Sequence, residues 1–402
     1  MDFEVLIIGS DVNAYYMARC AHEAYNKKPY MLINSKLLFT THSKIINHIY
    51  NNTIWDENCF IEAVNKFSSE HVNKKIVVIS SNETYAQFLS RNKDKFNENV
   101  LFNYPDNSII DSLINKELFY KTYSKSILSF PKTLYVKPKE FDIKLIDFQY
   151  PIIIKPANVV LFNHISFDGK KKIYKVNDAN ELLESIKAIQ NSEYDDTLVI
   201  QEYITGDDSY LFDSVVYSNK DGEVELVSFA QIGLQEHKPS MIGNAAVVIN
   251  GYNSFKVDTK SIVDDIRSFM NSISYTGFAE FDLKYDERDG KFKVLEINAR
   301  QGRCSYYICP LGYNLVKILV DDLVFNKKNK FVYLNKKSML TFVNKSIIKK
   351  YIKNDDYKKE ALSLFSKSVN PLKYSKDFSF YRMFLYVKRD KNYRRSYKNY
   401  EW

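Results

Sequence analysis

The sequence predicts an α/β layer with a parallel sheet at the N-terminal end, followed by a larger α+β region. Three observations predict it. Short apolar runs alternate with helix-like stretches over the first hundred residues. Strand-like runs then crowd together, with turn signals between them, from about residue 133 to residue 298. The chain has 402 residues, too many for one small core, so two or three packed domains are expected.

The first strand is residues 3–9, FEVLIIG, which read as a short buried strand. A helix follows over residues 13–25, then a strand over 30–34 and another over 76–80. Residues 82–91 read as a helix with Asn82 as its N-cap. A first domain of residues 1–108 closes this layer. Residues 111–130 read as one helix, ended by Phe130-Pro131-Lys132. Strands follow at 133–136 and 152–155, an amphipathic helix at 178–191, and strands at 198–203, 211–217 and 224–232. Residues 261–273 and 311–325 read as helices. Between them, strands 277–285 and 291–298 flank Asp286-Glu287-Arg288-Asp289-Gly290, a natural turn. Two lobes of about 130–205 and 206–330 are expected within 109–330. Residues 331–402 form a Lys- and Tyr-rich extension with weaker signals.

Composition narrows the class. Hydrophobic residues are 45% and charged residues 26%, ordinary for a globular protein. The formal net charge of +8 suits anionic ligands or surfaces. The 31 Tyr and 27 Phe are spread along the whole chain and stand in for Leu in apolar stretches. That distribution favours core packing over base-stacking platforms, and no nucleic acid partner is expected. Cys20, Cys59, Cys304 and Cys309 include no C-x-x-C pair. The N-terminus lacks a basic leader, and no run of about 18 apolar residues occurs. A cytoplasmic location follows as the expectation.

The chemistry concentrates in residues 277–303. Asp282 sits in a largely apolar strand, and the 286–290 turn folds it back toward Glu296. Glu296, Asn298 and Arg300 are spaced by two, so an extended chain presents all three on one face. Carboxylates in apolar surroundings need a partner. Two carboxylates and an amide oxygen suit Mg²⁺, and Arg300 suits a phosphate or a developing oxyanion. A buried ion-pair network between two strands explains the same spacing equally well.

Lys116 opens the 111–130 helix, and Lys155 ends a strand just before Pro156. Both suit phosphates as point charges, although a lone lysine is more often simply solvated. Residues 166–172, with one Gly and three Lys, fit a lid over phosphates or an ordinary exposed hairpin tip. The strand exit Glu202-Tyr203-Ile204 and the following Asp208 suit an adenine edge and a ribose, or an ordinary strand and turn. Gly9-Ser10-Asp11 is not a dinucleotide fingerprint, because no second or third glycine follows.

In order and spacing these pieces resemble the ATP-grasp superfamily over roughly residues 3–325. The run Ile7 to Arg19, together with Lys155-Pro156-Ala157-Asn158, Gly206-Asp207-Asp208-Ser209, Ile242-Gly243-Asn244, residues 275–282 and Glu296 to Arg303, resembles the D-aspartate ligases. Cys304 departs from the pattern, standing where a small hydroxyl residue is expected, and the residues after about 330 match poorly.

The resemblance implies an ATP-grasp fold behind a Rossmann-like N-terminal domain, and ligation of an amino-acid carboxylate to an amine through an acyl phosphate. It implies ATP and one or two Mg²⁺ ions as cofactors. Lys116 and Lys155 would meet the phosphates. Glu202, Tyr203 and Ile204 would line the adenine pocket, and Asp208 would reach the ribose. Asp282, Glu296 and Asn298 would hold Mg²⁺. Arg300 would stabilise the phosphoryl group. Arg303, Ser10, Asp11 and Asn244 would face the substrates.

The implied partners are D-aspartate or another amino-acid donor and an amine acceptor. The acceptor would be a nucleotide- or lipid-linked peptidoglycan precursor. The basic stretch 381–402 adds an expected peripheral contact with an anionic membrane. The competing reading is a non-catalytic basic protein holding an anionic surface or nucleic acid.

Overall fold

A computed structural model describes residues 2–171, 173–238, 241 and 243–400. Lys172 of the expected lid, Ser240, Ile242 and the terminal Glu401 and Trp402 lie outside the described residues.

The N-terminal layer runs β1 (Phe3–Ile8), α1 (Val12–Tyr25), β2 (Tyr30–Ile33), α2 (Leu38–Thr41), β3 (Asn47–Tyr50), α3 (Glu57–Ser69), β4 (Lys75–Ser80), α4 (Glu83–Arg91) and β5 (Val100–Leu101). Its five strands are all parallel, in the order β3-β2-β1-β4-β5. Alternate residues of β1 enter different cores. Val5 and Ile7 join the cluster containing α1, whereas Leu6 and Ile8 join the one containing α3 and α4. Burial on both faces is why residues 5–8 of this strand are all apolar. Asn82 caps α4 by accepting from Tyr85 N.

The expected 111–130 helix is two helices, α5 (Asn107–Ile114) and α6 (Lys116–Tyr123). Asn115 separates them with extended backbone and caps α6 by accepting from Leu118 N. Local capping therefore overrides the continuous apolar period, and residues 124–130 are not helical.

A small lobe follows, with β6 (Thr133–Val136), β7 (Ile152–Pro156), α7 (Val159–His164), β8 (Tyr174–Val176), α8 (Ala179–Gln190) and β9 (Leu198–Glu202). Its antiparallel sheet has the order β6-β9-β7-β8, and α8 closes one face through Leu182, Ile186 and Ile189.

The large sheet contains β10 (Leu211–Ser218), β11 (Val224–Ser228), β12 (Ala230–Gln235) and β13 (Ala245–Asn250). After α9 (Lys260–Ser272) come β14 (Gly277–Asp286) and β15 (Lys291–Asn298). The expected single strand at 224–232 is split at Phe229, and β10 pairs with both pieces. The expected 311–325 helix is α10 (Leu315–Leu323), preceded by a 3₁₀ segment Ser305–Leu311.

The extension is ordered and integrated. Strands β16 (Val332–Leu334) and β17 (Ser338–Thr341) join the large sheet on β11 and β13. Helices α11 (Lys345–Tyr351), α12 (Asp355–Leu364) and α13 (Phe380–Asn399) follow. Part of the basic tail is internal. Arg382 is 1% exposed, its guanidinium 3.3 Å from the buried Asp377 carboxylate. No helix among the described residues is long and apolar enough to cross a membrane.

Candidate active site

A cleft of about 1830 Å³ is lined by all three layers and by α11 and the residues after it. Its floor is the face of β14 and β15. The hairpin register sets Asp282 opposite Glu296 and Glu280 opposite Asn298, while β10 sets Asp213 opposite Asp282. The period-two face expected of Glu296, Asn298 and Arg300 is present, and all three line the cleft with Asp282. Asn298 Nδ2 donates to Asp282 Oδ2 at 3.3 Å, and Arg300 Nη2 donates to Asn298 Oδ1 at 3.4 Å. Arg300 also reaches Glu280 at 3.5 Å and Glu83 of α4 at 3.4 Å.

This floor holds more negative charge than its own cations neutralise. Burial, with Glu280 and Glu296 nearby, pushes the Asp282 carboxyl well above the carboxylate range. Burial and Asp213 push Glu280 up as well, and burial with Asp282 pushes Asp213 up to about 6. Such a cluster favours a bound cation. Among the described residues no three His, Cys, Asp or Glu side chains converge into a closed cage. The oxygen donors on this floor include the carboxylates of Asp282 and Glu296 and the Asn298 amide. They fit Mg²⁺, which keeps open positions for phosphate oxygens.

The two lysines stand beside this floor. Lys116 Nζ lies 3.0 Å from Glu296 Oε1. Its backbone N–H donates to Ala157 O at 3.4 Å, tying the start of α6 to the end of β7. Lys155, the penultimate residue of β7, is buried with Nζ 3.2 Å from Tyr120 Oη. Burial and the neighbouring Lys116 push its ammonium down to about 7.

At the other end, Glu202, Tyr203 and Ile204 line the cleft where β9 leaves the small lobe. Glu202 accepts from Lys132 N at 2.8 Å and pairs with Arg288 at 2.9 Å. The Tyr203 ring meets Lys175 Nζ at 4.2 Å and Lys284 Nζ at 4.9 Å. Burial pushes Lys284 down to about 8. Asp208 lines the cleft with its carboxylate already accepting from Gln235 N and Nε2 at 2.8 and 2.7 Å.

The expected substrate residues divide. Asp11 lines the cleft and caps α1 through Ala14 N, and Asn244 also lines it. Ser10 does not line it. Ser10 is 6% exposed, with Oγ 3.1 Å from Ser35 Oγ under the loop. Arg303 lines the cleft with both terminal nitrogens engaged. They reach Glu236 at 2.5 Å, Ala245 O at 3.1 Å and Tyr393 Oη at 3.3 Å. None of the described residues of 166–171 lines the cleft, although Ile173 and Lys175 just beyond them do.

Sequence reasoning passed over Glu280, Lys284, Asp213, Glu83 and Lys175. Glu280, Asp282 and Lys284 share one face of β14, so the spacing rule applied to β15 finds two of them. Asp213 and Glu83 become visible only through the β10–β14 pairing and the contact with α4.

No protein-family model matches the chain. Among solved structures, N5-carboxyaminoimidazole synthetase from Staphylococcus aureus, complexed with ADP, aligns with a TM-score of 0.63 at 15% identity. That alignment covers 89% of this chain and 87% of that one. An L-amino acid ligase from Bacillus licheniformis aligns with a TM-score of 0.56 at 17% identity, covering 80% of this chain and 74% of that one. The fold is thus that of the ATP-grasp ligases, a parallel-sheet domain followed by two antiparallel lobes. In sequence, the D-aspartate ligase of Enterococcus faecium (strain Aus0004) is 33% identical over 333 residues, 81% of this chain and 78% of that protein. The chain belongs to the D-aspartate ligase family, and is an ATP-dependent ligase that forms C–N bonds.

Proposed function

We propose that the chain joins D-aspartate to an amine, the lysine side chain of a peptidoglycan precursor stem peptide, with release of ADP and phosphate. The observation that carries the chemistry is the shared face of Asp282, Glu296, Asn298 and Arg300, set beside Lys116 and Lys155 in one cleft. The choice of D-aspartate rests on the similarity to the Enterococcus faecium enzyme.

In this reading Glu202, Tyr203 and Ile204 hold the adenine end, with Lys175 and Lys284 beside it. Asp208 reaches the ribose from its anchorage on Gln235. Asp282, Glu296 and Asn298 hold one or two Mg²⁺ ions, which when bound neutralise phosphate charge and polarise the transferred phosphoryl group. Lys116 and Lys155 compensate the remaining phosphate charge as the donor carboxylate approaches. The carboxylate attacks the γ-phosphorus and ADP leaves. Arg300, held by Glu280, Glu83 and Asn298, offers its guanidinium edge to the transferring group and later to the tetrahedral oxyanion. The acceptor amine then attacks the acyl carbon and phosphate leaves. Asp11 and Asn244 border the substrate end. Arg303, bound to Glu236, acts by holding that wall in place.

The test is phosphate release from MgATP across a panel of D- and L-amino acids, with and without a lysine-containing stem peptide. Release requiring both D-aspartate and the peptide supports the proposal. Release with another amino acid or acceptor moves the substrate and keeps the chemistry. Release with no pair counts against the ligase roles assigned to these residues.

A further inference from the structure

One face of the molecule is unusually apolar for its charge. Helix α13 buries Arg382, Leu385, Tyr393 and Tyr397. Its opposite stripe is open: Phe380 is 80% exposed, Phe384 59%, Val387 51% and Met383 46%. These positions are spaced i, i+3, i+4 and i+7, so they form one strip about two turns long. Phe378, just before the helix, is half exposed. Phe39 of α2 packs on Tyr386 of α13 at 5.2 Å, and its neighbours Leu37 and Leu38 are exposed.

The charges around the strip have one sign. Between residues 373 and 389 the only acidic residue is Asp377. It is internal, where Tyr15, Ser43, Lys44 N–H and Arg382 surround it. Beyond the strip α13 exposes Lys388, Lys391, Arg394, Arg395 and Lys398. Asp390 is occupied by Asn344 and Arg394. An exposed apolar strip beside a run of cations offers the two things that hold a protein on an anionic membrane surface, apolar area to bury and charge to attract. Two copies joined through this strip would set like charges against each other, which costs energy, whereas an anionic surface gains from every lysine and arginine.

We infer that the strip formed by Phe380, Met383, Phe384 and Val387, with Leu37 and Leu38, docks the protein on an anionic lipid surface. This goes beyond a general attraction of the basic tail, because it assigns insertion to the apolar stripe and headgroup contact to the cations after it. It also places the bilayer near the cleft. Thr40 of α2 donates to the Ser10 carbonyl, one residue before Asp11, which lines the cleft. A ligase so docked holds the substrate end of its cleft close to acceptors carried at the lipid surface. That last point rests on the ligase reading.

The test is cosedimentation of the full chain with vesicles of phosphatidylglycerol and phosphatidylcholine, and with phosphatidylcholine alone. Phe380→Ser/Phe384→Ser changes only exposed side chains and is the test variant. Wild type is expected to bind the anionic vesicles, weaken on raising salt, and lose tenfold or more in the variant. Absence of wild-type binding, or equal binding by the variant, overturns the inference. So does a dimer in solution that the variant dissociates while vesicles are ignored. Hydroxamate formation from D-aspartate, MgATP and hydroxylamine is run without lipid on both proteins. Its absence in wild type counts against D-aspartate as the donor and leaves the docking result standing by itself.

Discussion

Nucleotide binding should draw protons from solution, and the amount follows from one buried lysine. Lys155 is held near 7 by burial and Lys116. For Lys155 the displacement from about 10.5 to about 7 is a bias of about 5 kcal/mol against the ammonium form. Phosphates beside Lys155 reverse that bias, because an adjacent anion favours the charged form.

At pH 8, Lys155 is about nine-tenths deprotonated in the empty cleft, so binding should take up about 0.9 proton. At pH 6 the uptake falls to about 0.1. Calorimetric titration with MgATP and no donor, in buffers of different ionisation enthalpy, measures this directly. Lys155→Arg keeps a cation that does not deprotonate, so its uptake at pH 8 should drop to about zero. The difference between the two proteins cancels protons taken up by the nucleotide itself.

Equal uptake by wild type and variant, or uptake that does not rise from pH 6 to pH 8, refutes the placement of Lys155 against phosphate. The same shift makes the nucleotide-free fold gain stability from this group as pH rises between about 7 and 10. Across that window the unfolded chain binds the extra proton.

Three further outcomes follow from the site and the fold. Glu296→Gln removes one carboxylate of the Mg²⁺ donor set and should lower turnover by at least about 100-fold, with circular dichroism unchanged and partial recovery at high Mg²⁺. Arg300→Lys replaces a planar fork that spans Glu280, Glu83 and Asn298 with a point charge. It should reduce kcat about 100-fold with little change in the KM for ATP, read by ADP release. Asp377→Ala strips partners from Tyr15, Ser43 and Arg382 at a site with no solvent access. It should cost about 3–5 kcal/mol, read as a lower midpoint in denaturant.

The shared face of the 277–298 hairpin was legible in the sequence because it is local. Asp282, Glu296, Asn298 and Arg300 need only a turn and a period of two to be brought together, and the hairpin register does this. Lys155 was legible from its place before Pro156. Contacts between distant segments were not. Asp213 joins the acidic floor only because β10 lies between β14 and β12, an order that no local pattern encodes. The break at Asn115 depends on one side chain capping α6, against an apolar pattern that runs straight through. Ser10 sits beside a cleft-lining residue in sequence and yet faces Ser35, because the loop turns at that point. Most of all, β16 and β17 are three and four residues long, too short to show a period, and take their meaning from the strands they join.

That last pairing bears on how the enzyme can be cut or recombined. Strand β17 covers the outer hydrogen-bonding edge of β13, and β16 covers that of β11. A chain ending at residue 330, where the recognisable motifs stop, would expose both edges as templates for pairing with other molecules, and aggregation would follow. Chimaeras that exchange substrate loops between relatives should therefore carry residues 211–298 together with their own 331–400. The transferable module is a sheet that closes only with the last fifth of the chain.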